Sequence, residues 1–112
     1  MAKRPYEYDN DLDILYIYNN PKNDKPEYNL TIGTMVIDVG MNGKVLGVEV
    51  DCASKIFPEI ANYLNDLSIA RIVIRKTGNA TTFGILLAKG TNTSTYYCNL
   101  PEQSIIEKEL SA

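Results

Sequence analysis

Met35-Val36-Ile37-Asp38-Val39-Gly40-Met41-Asn42-Gly43-Lys44-Val45-Leu46-Gly47-Val48-Glu49-Val50 reads as a β-hairpin. Asn-Gly is the dipeptide that best tolerates the positive φ angles of a two-residue type I′ turn, so the chain is expected to reverse at Asn42-Gly43. Counting outward, Met41 faces Lys44, Val39 faces Leu46, Ile37 faces Val48 and Met35 faces Val50. The last three pairs are apolar on both strands, which assigns that face to the core. On the other face Asp38 meets Gly47, Val36 meets Glu49 and Thr34 meets Asp51, a polar set suited to solvent.

The same alternation extends in both directions. Upstream, Tyr6 to Tyr8 and Ile14 to Tyr18 read as short strands joined by the acidic turn Asp9-Asn10-Asp11-Leu12-Asp13. Asn19 to Pro26 contains two prolines and almost nothing apolar, so an exposed, mobile loop is expected before a strand starting near Tyr28. Downstream, Phe57, Ile60, Ala61, Leu64 and Leu67 keep helical spacing. They predict a helix from about Lys55 to Asp66, capped by Ser54, with Pro58 tolerated in its first turn and its apolar stripe packed on the sheet. Ile69 to Lys76 and Thr82 to Lys89 alternate as strands around Thr77-Gly78-Asn79, and Thr93 to Leu100 supplies a further strand. Pro101 followed by Glu102 to Leu110 fits a short C-terminal helix. The expected fold is therefore α+β, mainly antiparallel sheet built from hairpins. One helix (about 55–66) packs on the sheet and a short helix closes the chain.

At 112 residues the chain is the size of a single domain. An internal hairpin repeat is suggested within it: residues 32–50 align without gaps on 69–87, with identities at Ile32/Ile69, Val36/Val73, Ile37/Ile74, Asn42/Asn79 and Gly47/Gly84.

Two stretches resemble one small family. Tyr8-Asp9, Asp13 and Leu15-Tyr16-Ile17 are similar to the Tyr-Asp, Asp, Leu-Tyr-Ile opening of the domain of unknown function 2283 family. Gly43-Lys44-Val45-Leu46-Gly47-Val48-Glu49-Val50 with Ala53-Ser54 resembles that family's Gly-x-Val-x-Gly-Val-Glu-Val hairpin and its Ala-Ser ending. The resemblance covers about residues 6–55 and implies no activity, cofactor or catalytic residue. Through members beside toxin-like genes it implies a partner-binding or antitoxin-like role. The Pro-rich loop is an extension of the pattern, and residues 56–112 lie beyond it.

Composition narrows the chemistry. There is no His, which removes Ser-His-Asp and Cys-His catalysis and most zinc sites. A formal charge of −3 disfavours general affinity for phosphate backbones or anionic membranes. Cys52 and Cys98 lack CxxC spacing and read as two buried thiols in a reducing compartment. The Met-Ala-Lys-Arg-Pro-Tyr start has no apolar run of signal or membrane type, so a cytoplasmic location without membrane contact is expected.

Four groups of side chains stand out as candidate sites. Asp9, Asp11 and Asp13 have the spacing that opens a calcium loop, but Ile14 stands where Gly is needed and Asn20 where a bidentate Glu is needed. An acidic turn with Asp9 and Asp13 bonding backbone N–H groups is the better account. Asp38, Glu49 and Asp51 share a face without a neighbouring cation or nucleophile, so they read as a solvated polar face and not an acid–base pair. Tyr6, Tyr8, Tyr16 and Tyr18, placed together on one face of the first hairpin, and Tyr96 and Tyr97 near the last edge form a candidate interface. Arg71, Arg75, Lys76 and Lys89 form a candidate basic patch. No glycine pattern supports nucleotide binding, and no metal, cofactor or catalytic residue is expected. The expected function is a non-enzymatic protein-interaction or self-associating module, joined as a two-fold homodimer and able to take a protein partner. A small nucleic-acid-binding or antitoxin-like regulator working through the basic strand is the alternative.

Overall fold

The Asn42-Gly43 hairpin stands at the centre of a five-stranded antiparallel sheet in the computed structural model, which describes residues 5–19, 25–41, 44–78 and 80–99. Its arms are β4 (Met35–Val39) and β5 (Val45–Asp51). Met35 pairs with Val50, Val36 with Glu49, Ile37 with Val48 and Asp38 with Gly47, as the alternation requires. Nearer the turn the register slips by one, so that Val39 pairs with Val45 and not with Leu46. The slip is a β-bulge: Leu46 is the extra residue, and it is buried (6% exposed) instead of standing opposite Val39. Asn42 and Gly43 themselves lie outside the described residues.

Around this hairpin come β1 (Tyr6–Asp9), β2 (Ile14–Tyr18) and β3 (Tyr28–Ile32), in the order β1-β2-β5-β4-β3. The first hairpin thus docks on β5 through β2, with Ile17 opposite Val48 and Leu15 opposite Val50. A second, three-stranded antiparallel sheet follows in simple up-and-down order: β6 (Ile69–Thr77), β7 (Ala80–Lys89) and β8 (Asn92–Asn99). The two aligned hairpin segments accordingly fall in different sheets.

The long helix is a correction. α1 (Ala53–Ile56) is a single turn, and a separate 3-10 helix runs from Pro58 to Tyr63. The break is at Phe57 (φ −122°, ψ 64°), because a proline excludes α geometry from the residue before it and brings no N–H of its own. Ser54 is not the cap either. It lies within α1, which is preceded by Cys52 at φ 56° with no side-chain cap bond. Helical spacing nevertheless located the buried residues, since Phe57, Ile60 and Leu64 join the core.

One core cluster unites both sheets. Leu15, Ile17, Met35, Ile37, Val48 and Val50 enter it from the first, and Phe83, Ile85 and Leu87 from the second, with Phe57, Ile60 and Leu64 between strand layers in sequence. Cys98 is half-buried, but Cys52 is exposed, contrary to the buried reading, because the left-handed residue that turns β5 into α1 is thrust outward. Residues 20–24 of the Pro-rich loop, Asn79 and the C-terminal helix expected from Glu102 to Leu110 lie outside the described residues. Among the described residues no helix is long and apolar enough to cross a membrane.

Candidate functional site

The acidic turn divides its carboxylates between two tasks. Asp9 accepts from the N–H groups of Asp11 (2.9 Å) and Leu12 (3.1 Å), closing the β1–β2 connection. Asp13, at φ 55°, turns the other way. Its carboxylate accepts from Tyr8 Oη (2.6 Å), from the N–H of Ser54 (3.0 Å) and from Ser54 Oγ (2.7 Å), while its carbonyl accepts from the N–H of Ala53 (3.0 Å). The residues that carry the two sequence signatures therefore meet, 41 positions apart, at the start of α1. Burial pushes the Asp13 carboxyl up, but the bonds from Tyr8 and Ser54 and the charge of Lys55 outweigh it and hold it below its ordinary value. Burial, with the bond to Asp13, pushes the Tyr8 phenol up to about 12. Among the described residues no three acidic or thiol side chains converge as metal ligands.

The four N-terminal tyrosines do not share a face. Tyr6 pairs with Ile17 and Tyr8 with Leu15, so strand alternation sends both toward the core side, while Tyr16 and Tyr18 take the opposite side. Tyr6 is 2% exposed and its Oη accepts from the N–H of Leu67 (2.7 Å), bracing the start of the second sheet. The alternation was legible, but pairing across the turn inverts which face each strand's tyrosines occupy.

Tyr16 and Tyr18, with rings 4.6 Å apart, lie on the outer face of the first sheet. Tyr16 crosses strand β5 at Gly47 and donates to Asp38 Oδ2 on β4 (2.5 Å). A Cβ at Gly47 would stand 2.5 Å from Tyr16 Oη and 2.9 Å from the Ile17 carbonyl, so only glycine admits this crossing. Glu49 and Asp51 flank it. Burial and then the neighbouring charge of Asp51, with which Glu49 shares a hydrogen bond, raise the Glu49 carboxyl, with Asp38 adding to the effect. Burial and a bond to Glu7 raise the Tyr18 phenol. This face is acidic, and the cleft of about 520 Å³ beside it is bordered by Glu7, Asp9, Asp11 and Tyr16.

The basic patch divides. Arg71 and Arg75 pair with Leu86 and Thr82 and stand exposed on the outer face of the second sheet. Lys89 is elsewhere, bonded to Asp66 (2.6 Å), and the Lys76 side chain lies outside the described residues. Tyr96 turns inward, its ring 6.5 Å from Phe57 and edge-on to it, whereas its neighbour Tyr97 is 53% exposed beside Gly84.

β8 is also an edge. Its eight residues, Asn-Thr-Ser-Thr-Tyr-Tyr-Cys-Asn, include no charge and no proline, and their register with β7 is unbroken. The carbonyl of Ala88 points to β6, where it accepts from Ser68, and Ala88 pairs with Thr93 on its other side. By strand alternation the N–H and C=O groups of Thr93, Thr95, Tyr97 and Asn99 are those turned away from β7. The other edges are less open: β1 has four residues, β6 carries Arg71 and Arg75, and β3 has five residues beside Pro26 and Glu27.

No curated protein and no solved structure matches the chain. Residues 6–54 match the model of the family described as Protein of unknown function (DUF2283), so the resemblance of this segment to that family is shown, and it takes in the first sheet and the Asp13–Ser54 joint while stopping short of the second sheet.

Proposed function

We propose that the protein is a non-enzymatic, self-associating interaction module whose chains join through β8. The observation that carries this reading is the uncharged, unbulged eight-residue edge with four residues whose backbone groups face outward. Edges of this kind are pairing templates unless blunted by charge, proline or a bulge. Antiparallel pairing of β8 with its copy is self-complementary about a two-fold axis and extends the three-stranded sheet to six strands.

Thr95→Pro tests this directly. Thr95 is exposed and its N–H faces away from β7, so proline removes an outward donor while sparing the internal ladder. Light scattering behind a sizing column is expected to give the mass of two chains for the parent protein and of one chain for Thr95→Pro. A single-chain mass for the parent at every concentration, or a two-chain mass for Thr95→Pro, would overturn the proposal.

A further inference from the structure

We infer that the outer face of the second sheet is a stacking platform for single-stranded nucleic acid, with a base on Tyr97 and backbone phosphates on Arg75 and Arg71. The site lies within one chain and does not depend on edge pairing.

The platform begins with Gly84. A Cβ there would stand 2.5 Å from both Cδ1 and Cε1 of Tyr97, so the missing side chain is what lets the ring lie down across β7. Tyr97 and Gly84 are direct partners in the ladder. Tyr97 nevertheless remains 53% exposed, offering a π-surface to solvent. Together with Val73, Arg75 and Thr82 it borders a cavity of about 340 Å³, within the roughly 300–1,000 Å³ range of small-ligand sites. An aromatic ring, an apolar floor, a hydroxyl and a guanidinium thus meet at one place.

Charge selects the ligand. Strand pairing puts Ile69, Arg71, Val73 and Arg75 of β6 on this face with Thr82, Leu86 and Ala88 of β7 and Thr93, Thr95, Tyr97 and Asn99 of β8. Among the described residues of that set the only ionisable groups besides the Tyr97 phenol are the two arginines. The carboxylates Glu7, Asp38, Glu49 and Asp51 are on the first sheet. The net negative charge of the whole chain therefore conceals a face that is locally cationic. An open sheet face with an exposed ring suits an unpaired base, whose face is free to stack, and not a duplex, whose bases are stacked on each other.

Fluorescence anisotropy with a short labelled oligothymidylate tests the assignment. The parent protein is expected to bind it saturably, more weakly as salt rises from about 50 to 200 mM. Tyr97→Ala should weaken binding about tenfold, while Tyr97→Phe, which keeps the ring, should stay within about twofold of the parent. Arg75→Gln, at an exposed position that does not endanger the fold, should weaken binding and lower the salt slope by about one. The inference is overturned by absence of saturable binding at the lowest salt, by equal affinity of the parent and Arg75→Gln, or by equal affinity for a duplex of the same length or for polyglutamate.

Discussion

Gly47→Ala should be among the most damaging single-methyl additions to the first sheet. The new Cβ would meet Tyr16 Oη at 2.5 Å, Tyr16 Cζ at 2.8 Å and the Ile17 carbonyl oxygen at 2.9 Å. The first two contacts are relieved if the ring swings away, but the third is with backbone of the paired strand β2 and is not. Swinging the ring also breaks the bond to Asp38, and a hydrogen bond to a charged group contributes about 1.5–3 kcal/mol. Overpacking a fitted site costs about 1–3 kcal/mol. Because the two losses share one ring movement they do not add fully, and we take about 3 kcal/mol for the total. At roughly 4–5 °C per kcal/mol for a domain of this size, the melting temperature should fall by about 12–15 °C. Differential scanning calorimetry of Gly47→Ala, Tyr16→Phe and the double variant measures both the loss and the coupling. The double variant should be more stable than the sum of the single losses predicts. Gly84→Ala is the internal comparison: its closest contacts are with the exposed Tyr97 ring alone, the nearest backbone atom being 3.5 Å away, so its cost should be about 1 kcal/mol or less. A fall of under about 3 °C for Gly47→Ala, or strict additivity with Tyr16→Phe, would refute the crossing as the reason for this glycine.

Ser54→Ala should cost about 1–2 kcal/mol in urea unfolding, and Asp13→Ala about 2–4 kcal/mol because it removes the joint and leaves a positive φ without a residue that tolerates it. Equal stability of the Ser54→Ala and parent proteins would deny that the joint matters. The folded pKa of Asp13 lies below its unfolded value, so its contribution is complete above about pH 4 and is lost as pH falls through the folded pKa. In the Asp13→Asn protein the acid loss of melting temperature should be smaller. Glu49 runs the other way: its folded pKa is raised, so its contribution is present at low pH and is lost as pH rises through the folded value. Glu49→Gln should therefore raise the melting temperature by a few degrees at neutral pH and by less near pH 4. Ultraviolet titration should show Tyr8 holding its proton in the folded protein up to about pH 12, two units beyond an ordinary phenol, and urea unfolding should show its contribution to stability declining from about pH 10, where the unfolded phenol ionises, until the folded phenol ionises near pH 12.

Much of the strand pattern was legible because side-chain alternation is a local property. Ile14–Tyr18 and the pairing of Met35, Val36, Ile37 and Asp38 with Val50, Glu49, Val48 and Gly47 follow from periodicity and a turn. Leu46 escaped because a bulge near a turn leaves no mark in an apolar run such as Val45-Leu46. The long helix is not legible as two pieces because its apolar spacing persists across Phe57, where only the constraint from Pro58 shows that the backbone cannot remain helical. The division into two sheets and the contact of Asp13 with Ser54 depend on partners far apart in the chain, which no local pattern encodes. Gly47 and Gly84 were visible as an aligned pair, and their common property emerged from geometry: each is overlain by a tyrosine from a neighbouring strand.

The strand order also imposes a timetable on synthesis. The hairpin of β1 and β2 is made first, yet the strand against which it rests, β5, begins only at Val45, after β3 and β4 have been completed. Chains are extended at roughly 5–20 residues per second, whereas a hairpin closes in about 1–10 μs, so the early hairpin has seconds in which its apolar side is bare. The side chains exposed in that interval are Leu15 and Ile17, both fully buried in the finished fold, together with Tyr6. Strand β5 enters between two strand pairs made before it, so the central strand of the first sheet is the last piece of it to arrive, and the bare side is covered only later still, when Phe57, Ile60 and Leu64 and then Phe83, Ile85 and Leu87 of the second sheet join the shared core.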